Sequence, residues 1–262
     1  MRVPDLSVVL PCYNERVSLA IAVAEYCRVL PAAGIHNFEL IVVDDASTDG
    51  TGALAEALAR SEPRLRLLRH ERNEGQVASI LDGFRAARGL VLTHNGIDLP
   101  FHPRDVARML ASIQDGADVV VVERAHRKVY SPLRKVLSWG NICLLKTLLG
   151  SPFTDHNFVQ FYRAEVVETV PVRSRGVSTV TPELIVRALR AGFRVESCRA
   201  EYHERQEGRS TINPRKVAHA LGETFRLWQL MRPVAAARAA APESAPHTQP
   251  RRRASQNSEV SR

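Results

Sequence analysis

Two adjacent carboxylates, Asp44 and Asp45, follow directly on the apolar run Phe38–Val43, with Ser47, Asp49 and Thr51 close behind. Paired acids at the end of a buried strand are costly unless donors meet them. A nucleotide supplies such donors, because ribose hydroxyls and base N–H groups bond well to a carboxylate. Ser47, Asp49 and Thr51 have an equal alternative use, since an Asp/Ser/Thr cluster ahead of a helix caps its first turn. A second polar cluster, Pro11-Cys12-Tyr13-Asn14-Glu15, closes the earlier apolar run Leu6–Leu10.

These clusters need strands to end where they stand and helices to begin just after them. The pattern of the first 125 residues provides both. Strand-like runs at Leu6–Leu10, Phe38–Val43, Leu65–Leu68, Leu90–Thr93 and Ala117–Val122 alternate with helical stretches at Glu15–Leu30, Thr51–Ala59, Gln76–Ala87 and Pro103–Gln114. Continuous Val/Leu/Ile runs separated by amphipathic helices predict an α/β fold with a mostly parallel central sheet and helices on both faces. Ligands of such sheets lie beyond the carboxyl ends of the strands. Further on, Val129–Leu149 predicts one wide apolar helix or two short ones. A strand at Phe158–Tyr162, a helix at Pro182–Ala191, a strand at Phe193–Tyr202 and a last helix at Pro214–Met231 follow. The Ala/Pro/Ser/Arg-rich stretch 233–262 has too few apolar residues for a core and is expected to be disordered. The division is therefore 1–232 as one domain, with 1–125 as its nucleotide half and 126–232 as its acceptor half.

Composition narrows the class. The 262 residues are 45% hydrophobic and 24% charged, enough for a sizeable core, and the formal charge of +8 favours anionic partners. Cys12, Cys27, Cys143 and Cys198 are scattered without metal-site spacing and are expected to be reduced thiols. No secretory signal is expected at the start of the chain, and no run approaches the roughly 20 apolar residues that span a bilayer. Arg251-Arg252-Arg253 comes without any nucleic-acid-binding motif, so no nucleic-acid partner is expected.

The segments Ser7–Glu15 and Ile41–Thr51 resemble the opening motifs of family 2 glycosyltransferases, which have the GT-A fold. Asn73-Glu-Gly-Gln-Val-Ala-Ser-Ile-Leu-Asp-Gly-Phe84 is similar to that family's third signature. The resemblance extends to about Ser210 and is greatest to dolichol-phosphate mannose synthase and other polyprenyl-phosphate glycosyltransferases. It implies that Pro11, Tyr13, Glu15, Asp44, Asp45 and Asn73 hold the nucleotide of a GDP- or UDP-sugar. It also implies a divalent cation, Mg²⁺ or Mn²⁺, on an Asp-x-Asp motif. In His94-Asn-Gly-Ile-Asp-Leu-Pro-Phe-His-Pro103 the second acid is Asp98, but Gly96 replaces the first. Asp98 is then a metal ligand helped by diphosphate oxygens, water and Asn95, or else a loop residue.

The same resemblance assigns Arg124 and Arg205 to a lipid phosphate, with Arg134 and Lys135 nearby in sequence. A guanidinium fork suits phosphate geometry. Asp155 faces the sugar, orients an arginine, or is a structural acid at a strand edge. Glu183 is a capping residue or a sugar contact. The expected activity is inverting transfer of a hexose, mannose or glucose, to a polyprenyl or dolichyl phosphate, with Asp98, Asp155, Arg124 and Arg205 at the reacting centre. The alternatives are a sugar or protein hydroxyl as acceptor, and a catalytically silent nucleotide-binding domain. The expected place is cytoplasmic, peripheral at the inner membrane face or beside a membrane partner. Val136–Leu149 either meets the prenyl chain and membrane or packs in the core.

Overall fold

The computed structural model describes residues 2–125, 132–176, 178–202 and 214–231, the side chains at 132–138, 141, 144 and 214–221 excepted. The expected tail and Arg205 lie outside the described residues, as do the side chains of Arg134 and Lys135. Alternating β and α segments build a seven-stranded sheet with the order β3-β2-β1-β4-β6-β5-β7. The strands are β1 (Leu6–Cys12), β2 (Phe38–Asp44), β3 (Leu65–Arg69), β4 (Val91–His94), β5 (Val119–Arg124), β6 (Gln160–Arg163) and β7 (Val195–Ala200). The helices are α1 (Arg16–Ala32), α2 (Thr51–Ser61), α3 (Gln76–Ala86), α4 (Val106–Gln114), α5 (Pro132–Leu149), α6 (Ala164–Thr169), α7 (Val180–Arg190) and α8 (Pro214–Met231). A 3-10 turn at Pro103–Asp105 leads into α4.

The central strands are apolar on both sides because helices cover both faces, and their two-residue period sorts side chains between two cores. Leu6, Val8, Leu10, Leu40, Val42, Val120 and Val122 meet α1 and α4 through Leu19, Tyr26, Met109 and Ile113. Their neighbours Val9, Ile41, Val43, Val119 and Val121 meet Phe84 of α3, Val166 of α6, and Leu184 and Ile185 of α7. A satellite cluster joins α5, α7 and α8 through Leu145, Leu149, Val186, Leu227 and Met231. The apolar side of α5 therefore serves a core, while its Trp139 is 68% exposed.

One strand departs from the parallel expectation. β6 runs antiparallel to both β4 and β5 and fills the slot between them. β5 ends at the carboxyl rim and β6 begins at that same rim, so β6 runs the opposite way. In consequence, the carboxyl ends of β1, β2, β4, β5 and β7 and the amino end of β6 share one edge. Strand β1 lies between β2 and β4, so the topological switch point falls there, where open α/β sheets bind ligands.

Helix α3 lies close against β1. A Cβ on Gly83 would run into the side chain of Val9, a fully buried β1 residue. Gly83→Ala is expected to cost about 1–3 kcal/mol, as overpacking does. Thermal unfolding would show this as a drop of roughly 2–4 °C per kcal/mol.

Candidate active site

The rim is built from loops that brace one another. Asn14, in a left-handed conformation (φ 56°), donates its N–H to Ser47 Oγ at 2.9 Å, and its own Oδ1 accepts from Thr48 N–H at 2.9 Å. Glu15 N–H reaches Thr51 Oγ1 at 3.0 Å and Arg16 N–H reaches Asp49 Oδ2 at 3.2 Å. Ser47, Asp49 and Thr51 thus stitch the β2–α2 loop to the entry of α1, and Asp49 and Thr51 satisfy donors there that a helix's first turn leaves open. Above this stitching, Tyr13 is 48% exposed and Pro11 and Glu15 are half-buried.

The two strand-end acids are turned inward. Asp44 is buried, its Oδ1 accepting from Ser47 N–H at 3.1 Å and its Oδ2 lying 3.5 Å from Arg69 Nε. Asp45, also buried, accepts from Glu74 N–H and Gly75 N–H at 2.8 Å each and lies 2.7 Å from His70 Nδ1. Burial pushes its carboxyl up, but the hydrogen bonds from Glu74, His70 and Gly75 outweigh burial and hold it below the ordinary aspartate range. Asp45 is thus spent on protein donors and fastens the loop that presents the exposed Asn73, whereas Asp44 Oδ2 has the Arg69 ion pair but no hydrogen bond among the described residues. Beside them, Cys12 is a buried free thiol pushed up to about 12 by burial and then by the neighbouring acids, Asp44 foremost, so it is inert as a nucleophile.

The β4–α4 loop turns tightly, with Leu99 left-handed at φ 50°. Asn95 holds it: Nδ2 donates to Tyr26 Oη at 2.8 Å and to Phe101 O at 2.7 Å, and Oδ1 accepts from Gly96 N–H at 3.0 Å. A side chain so committed is a brace, which corrects the expectation that Asn95 assists a cation. Asp98 is half-buried in the same loop, and a Cβ on Gly96 would collide with its carboxylate and approach Pro100 Cδ to 3.2 Å.

Arg124, at the end of β5, is paired at both ends of its fork with buried Asp155: Nε to Oδ2 at 2.6 Å and Nη2 to Oδ1 at 2.9 Å. Its guanidinium also lies 5.3 Å from the ring centres of both Phe158 and Tyr202. Of the roles open to Asp155, orienting an arginine is the one this geometry provides. Glu183 is fully buried and accepts from Ser174 N–H at 2.7 Å, Arg173 N–H at 3.1 Å and Arg187 Nε at 2.7 Å. It ties the segment before α7 to that helix.

Residues 7–167 match the family described as Glycosyl transferase family 2. The chain belongs to glycosyl transferase family 2. Its fold is of the GT-A type. The chain is 34% identical over 170 residues to the dodecaprenyl-phosphate galacturonate synthase of Rhizobium johnstonii, a match covering 63% of this chain and 50% of that protein. It is 32% identical over 231 residues to the polyprenol monophosphomannose synthase of Mycolicibacterium smegmatis, covering 82% and 83%. The chain thus spans about half the length of the first of these relatives. Among solved structures, the glucosyl-3-phosphoglycerate synthase of Mycobacterium tuberculosis, in complex with Mn²⁺, UDP-glucose and phosphoglyceric acid, superposes with a TM-score of 0.63 at 17% identity. That likeness covers 86% of this chain and 80% of the other.

Among the described residues, no group of three or more His, Cys, Asp or Glu side chains could hold a metal ion. One carboxylate is nevertheless a sufficient protein share for Mg²⁺ or Mn²⁺ that arrives on a diphosphate, since such ions keep waters and take phosphate oxygens. Asp98 fits that donor set. Gly96→Ala is expected to displace the Asp98 carboxylate, lowering transfer by about tenfold if a contact worth ~1.4 kcal/mol is lost. The loss should shrink as Mn²⁺ is raised, and a metal titration of initial rates checks this. No helix of the described residues is long and apolar enough to cross a membrane.

Reading by strand ends overlooked His70, His94 and Tyr202. His70 follows β3 and His94 ends β4, so the same positional rule would have found them. Tyr202 is joined to the site only by folding.

Proposed function

We propose that this glycosyltransferase moves a hexose, mannose or glucose, from a GDP- or UDP-sugar to the phosphate of a polyprenyl or dolichyl lipid, with inversion. The observation that carries the reading is the Arg124–Asp155 pair set between Phe158 and Tyr202. It is a fixed, half-buried guanidinium at the same rim as the nucleotide loops and Asp98. The names of the M. smegmatis and R. johnstonii relatives support a polyprenyl-phosphate acceptor.

Pro11, Tyr13, Glu15 and Asn73 meet the nucleotide at the rim. Asp44 and Asp45 keep the loops around it in shape. Asp98 would hold a Mg²⁺ or Mn²⁺ ion, which would supply charge stabilisation to the departing phosphate. Arg124 aligns the lipid phosphate, one of whose oxygens forms the new bond to the anomeric carbon as the bond to the nucleoside diphosphate breaks. The lipid phosphate is already anionic at neutral pH, so no side chain has to take a proton. Positioning and charge stabilisation then account for the rate. Exposed Trp139 of α5, together with Phe225 and Leu230 of α8, suits peripheral contact with a membrane surface, where aromatic and apolar side chains settle at the interface.

The test is incubation of the full chain with radiolabelled GDP-mannose, UDP-glucose and other donors plus polyprenyl phosphate, with and without Mn²⁺. Label in the organic phase is the expected result, and Asp98→Asn should lower it by about 10²–10³-fold, as loss of a key charge-stabilising group does. Label appearing only on a water-soluble hydroxyl acceptor would replace the lipid. Full activity in Asp98→Asn would remove the metal role.

A further inference from the structure

The loop that carries Asp98 is closed by one buried side chain, and that side chain is anchored by another. Asn95 stands just past β4, its backbone N–H held by Val9 O at 3.0 Å. Its amide spans the loop, with Oδ1 accepting from Gly96 N–H and Nδ2 donating to Phe101 O. The second hydrogen of Nδ2 goes to the Tyr26 hydroxyl at 2.8 Å. Tyr26 belongs to α1 and is buried in the core between that helix and the sheet, so its hydroxyl is a fixed point. One residue before it, Glu25 Oε1 lies 3.5 Å from Nε2 of His102, at the far end of the same loop. Tyr26 has no part in the mechanism above.

Asp98 has little freedom between these anchors. Ile97 on one side is buried in the core, and Leu99 on the other is left-handed, its N–H closing a turn onto Gly96 O at 3.0 Å. The Asp98 carboxylate occupies the space that a side chain at Gly96 would need. A site with a single protein carboxylate gains little from chelation, so its hold on a cation depends on how well that carboxylate is placed beforehand. Where the Asp-x-Asp motif has its first acid this chain has Gly96, and the Tyr26–Asn95 brace supplies order where a ligand is missing. Without the hydroxyl, one N–H of Asn95 would be buried and unbonded. The amide would then shift to regain a partner, at the expense of its bonds to Gly96 or Phe101.

We propose that Tyr26 is a positioning residue for the cation site. Its hydroxyl fixes Asn95, Asn95 fixes the loop, and the loop sets the Asp98 carboxylate for Mg²⁺ or Mn²⁺ bound together with a nucleoside diphosphate. Asn95 is no ligand in this arrangement, since its amide is committed to the loop. The inference rests on the role proposed above for Asp98.

The experiment is calorimetric titration of the full chain with UDP and with GDP, each with and without Mn²⁺. For the nucleotide that binds, Mn²⁺ should tighten binding by the parent chain. Tyr26→Phe should reduce that gain by about 10-fold, as loss of an outer partner of a metal ligand does, and leave metal-free binding within about twofold. Asn95→Ser removes the same bond from the other side, should give the same loss, and serves if Tyr26→Phe fails to fold. The double variant should lose no more than either single one, because the two residues act in series. Leu30→Val, in the core of the same helix, should lower the urea midpoint and keep the Mn²⁺ gain. An intact gain in Tyr26→Phe, additive losses in the double variant, or an equal loss in Leu30→Val would each overturn the proposal. If the gain is lost in Asp98→Asn but kept in Tyr26→Phe, the metal role of Asp98 stands and that of Tyr26 falls. A parent chain without any Mn²⁺ gain would refute both.

Discussion

Arg124→Ala is expected to lower transfer to polyprenyl phosphate by about 10²–10³-fold, the usual cost of losing one preorganised charge-stabilising group. Arg124→Lys should recover little, because an ammonium cannot reproduce the two-point pairing with Asp155 or the stacking on Phe158 and Tyr202. The same change leaves Asp155, buried in the fold, without its cation. Breaking a fully buried pair costs about 3–5 kcal/mol. The cost here should be smaller, because Arg124 keeps 26% of its side chain open to water. Asp155→Asn should damage activity through Arg124, and the double variant should lose less than the two single losses combined. Initial rates of organic-phase labelling, with urea unfolding of the same variants, separate the catalytic effect from the structural one. Independent, additive losses in both would show that Asp155 does not act through Arg124.

Asp45→Asn should destabilise the protein by about 2–4 kcal/mol, since hydrogen bonds to a charged acceptor contribute about 1.5–3 kcal/mol each and the amide can still accept from some of the donors. Its NH₂ group would face an N–H of Glu74 or Gly75, placing donor against donor. The effect carries a pH signature. The Asp45 carboxyl is held below its unfolded value, so its contribution is complete above an unfolded pKa of about 3.9 and is lost as pH falls through the folded value. The stability gap between the parent chain and Asp45→Asn should therefore be constant near neutrality and close below about pH 4. Unfolding midpoints across that range provide the measurement. A gap that widens on acidification would mean that the hydrogen bonds do not favour the charged form.

The order of elements and the residues at the strand ends were legible in the chain. Phe38–Val43 and Leu6–Leu10 are uninterrupted apolar runs, and such runs become central strands whose next polar residues have to stand at the rim. Asp44, Asp45 and the Pro11–Glu15 cluster stood out that way, from neighbours in sequence, whereas Asp98 came from the resemblance to the family's Asp-x-Asp motif. What those residues touch was a different matter. Asp45 resembled a nucleotide contact, but its oxygens go to Glu74, Gly75 and His70, which only the packing of α3 brings near. Asn95 resembled a helper of the cation, but Tyr26, 69 residues away, claims its amide. Asp155 had open roles until the antiparallel course of β6 set it against Arg124, 31 residues earlier.

Local sequence therefore determined the strands, the helices, the rim and the family, because the period of apolar residues and the polar clusters after them are short-range properties. The tertiary structure alone decided which acids face inward and which arginine is held by a buried carboxylate. Those outcomes depend on distant side chains competing for the same few hydrogen-bond donors and the same space, and that competition begins only when the sheet has formed.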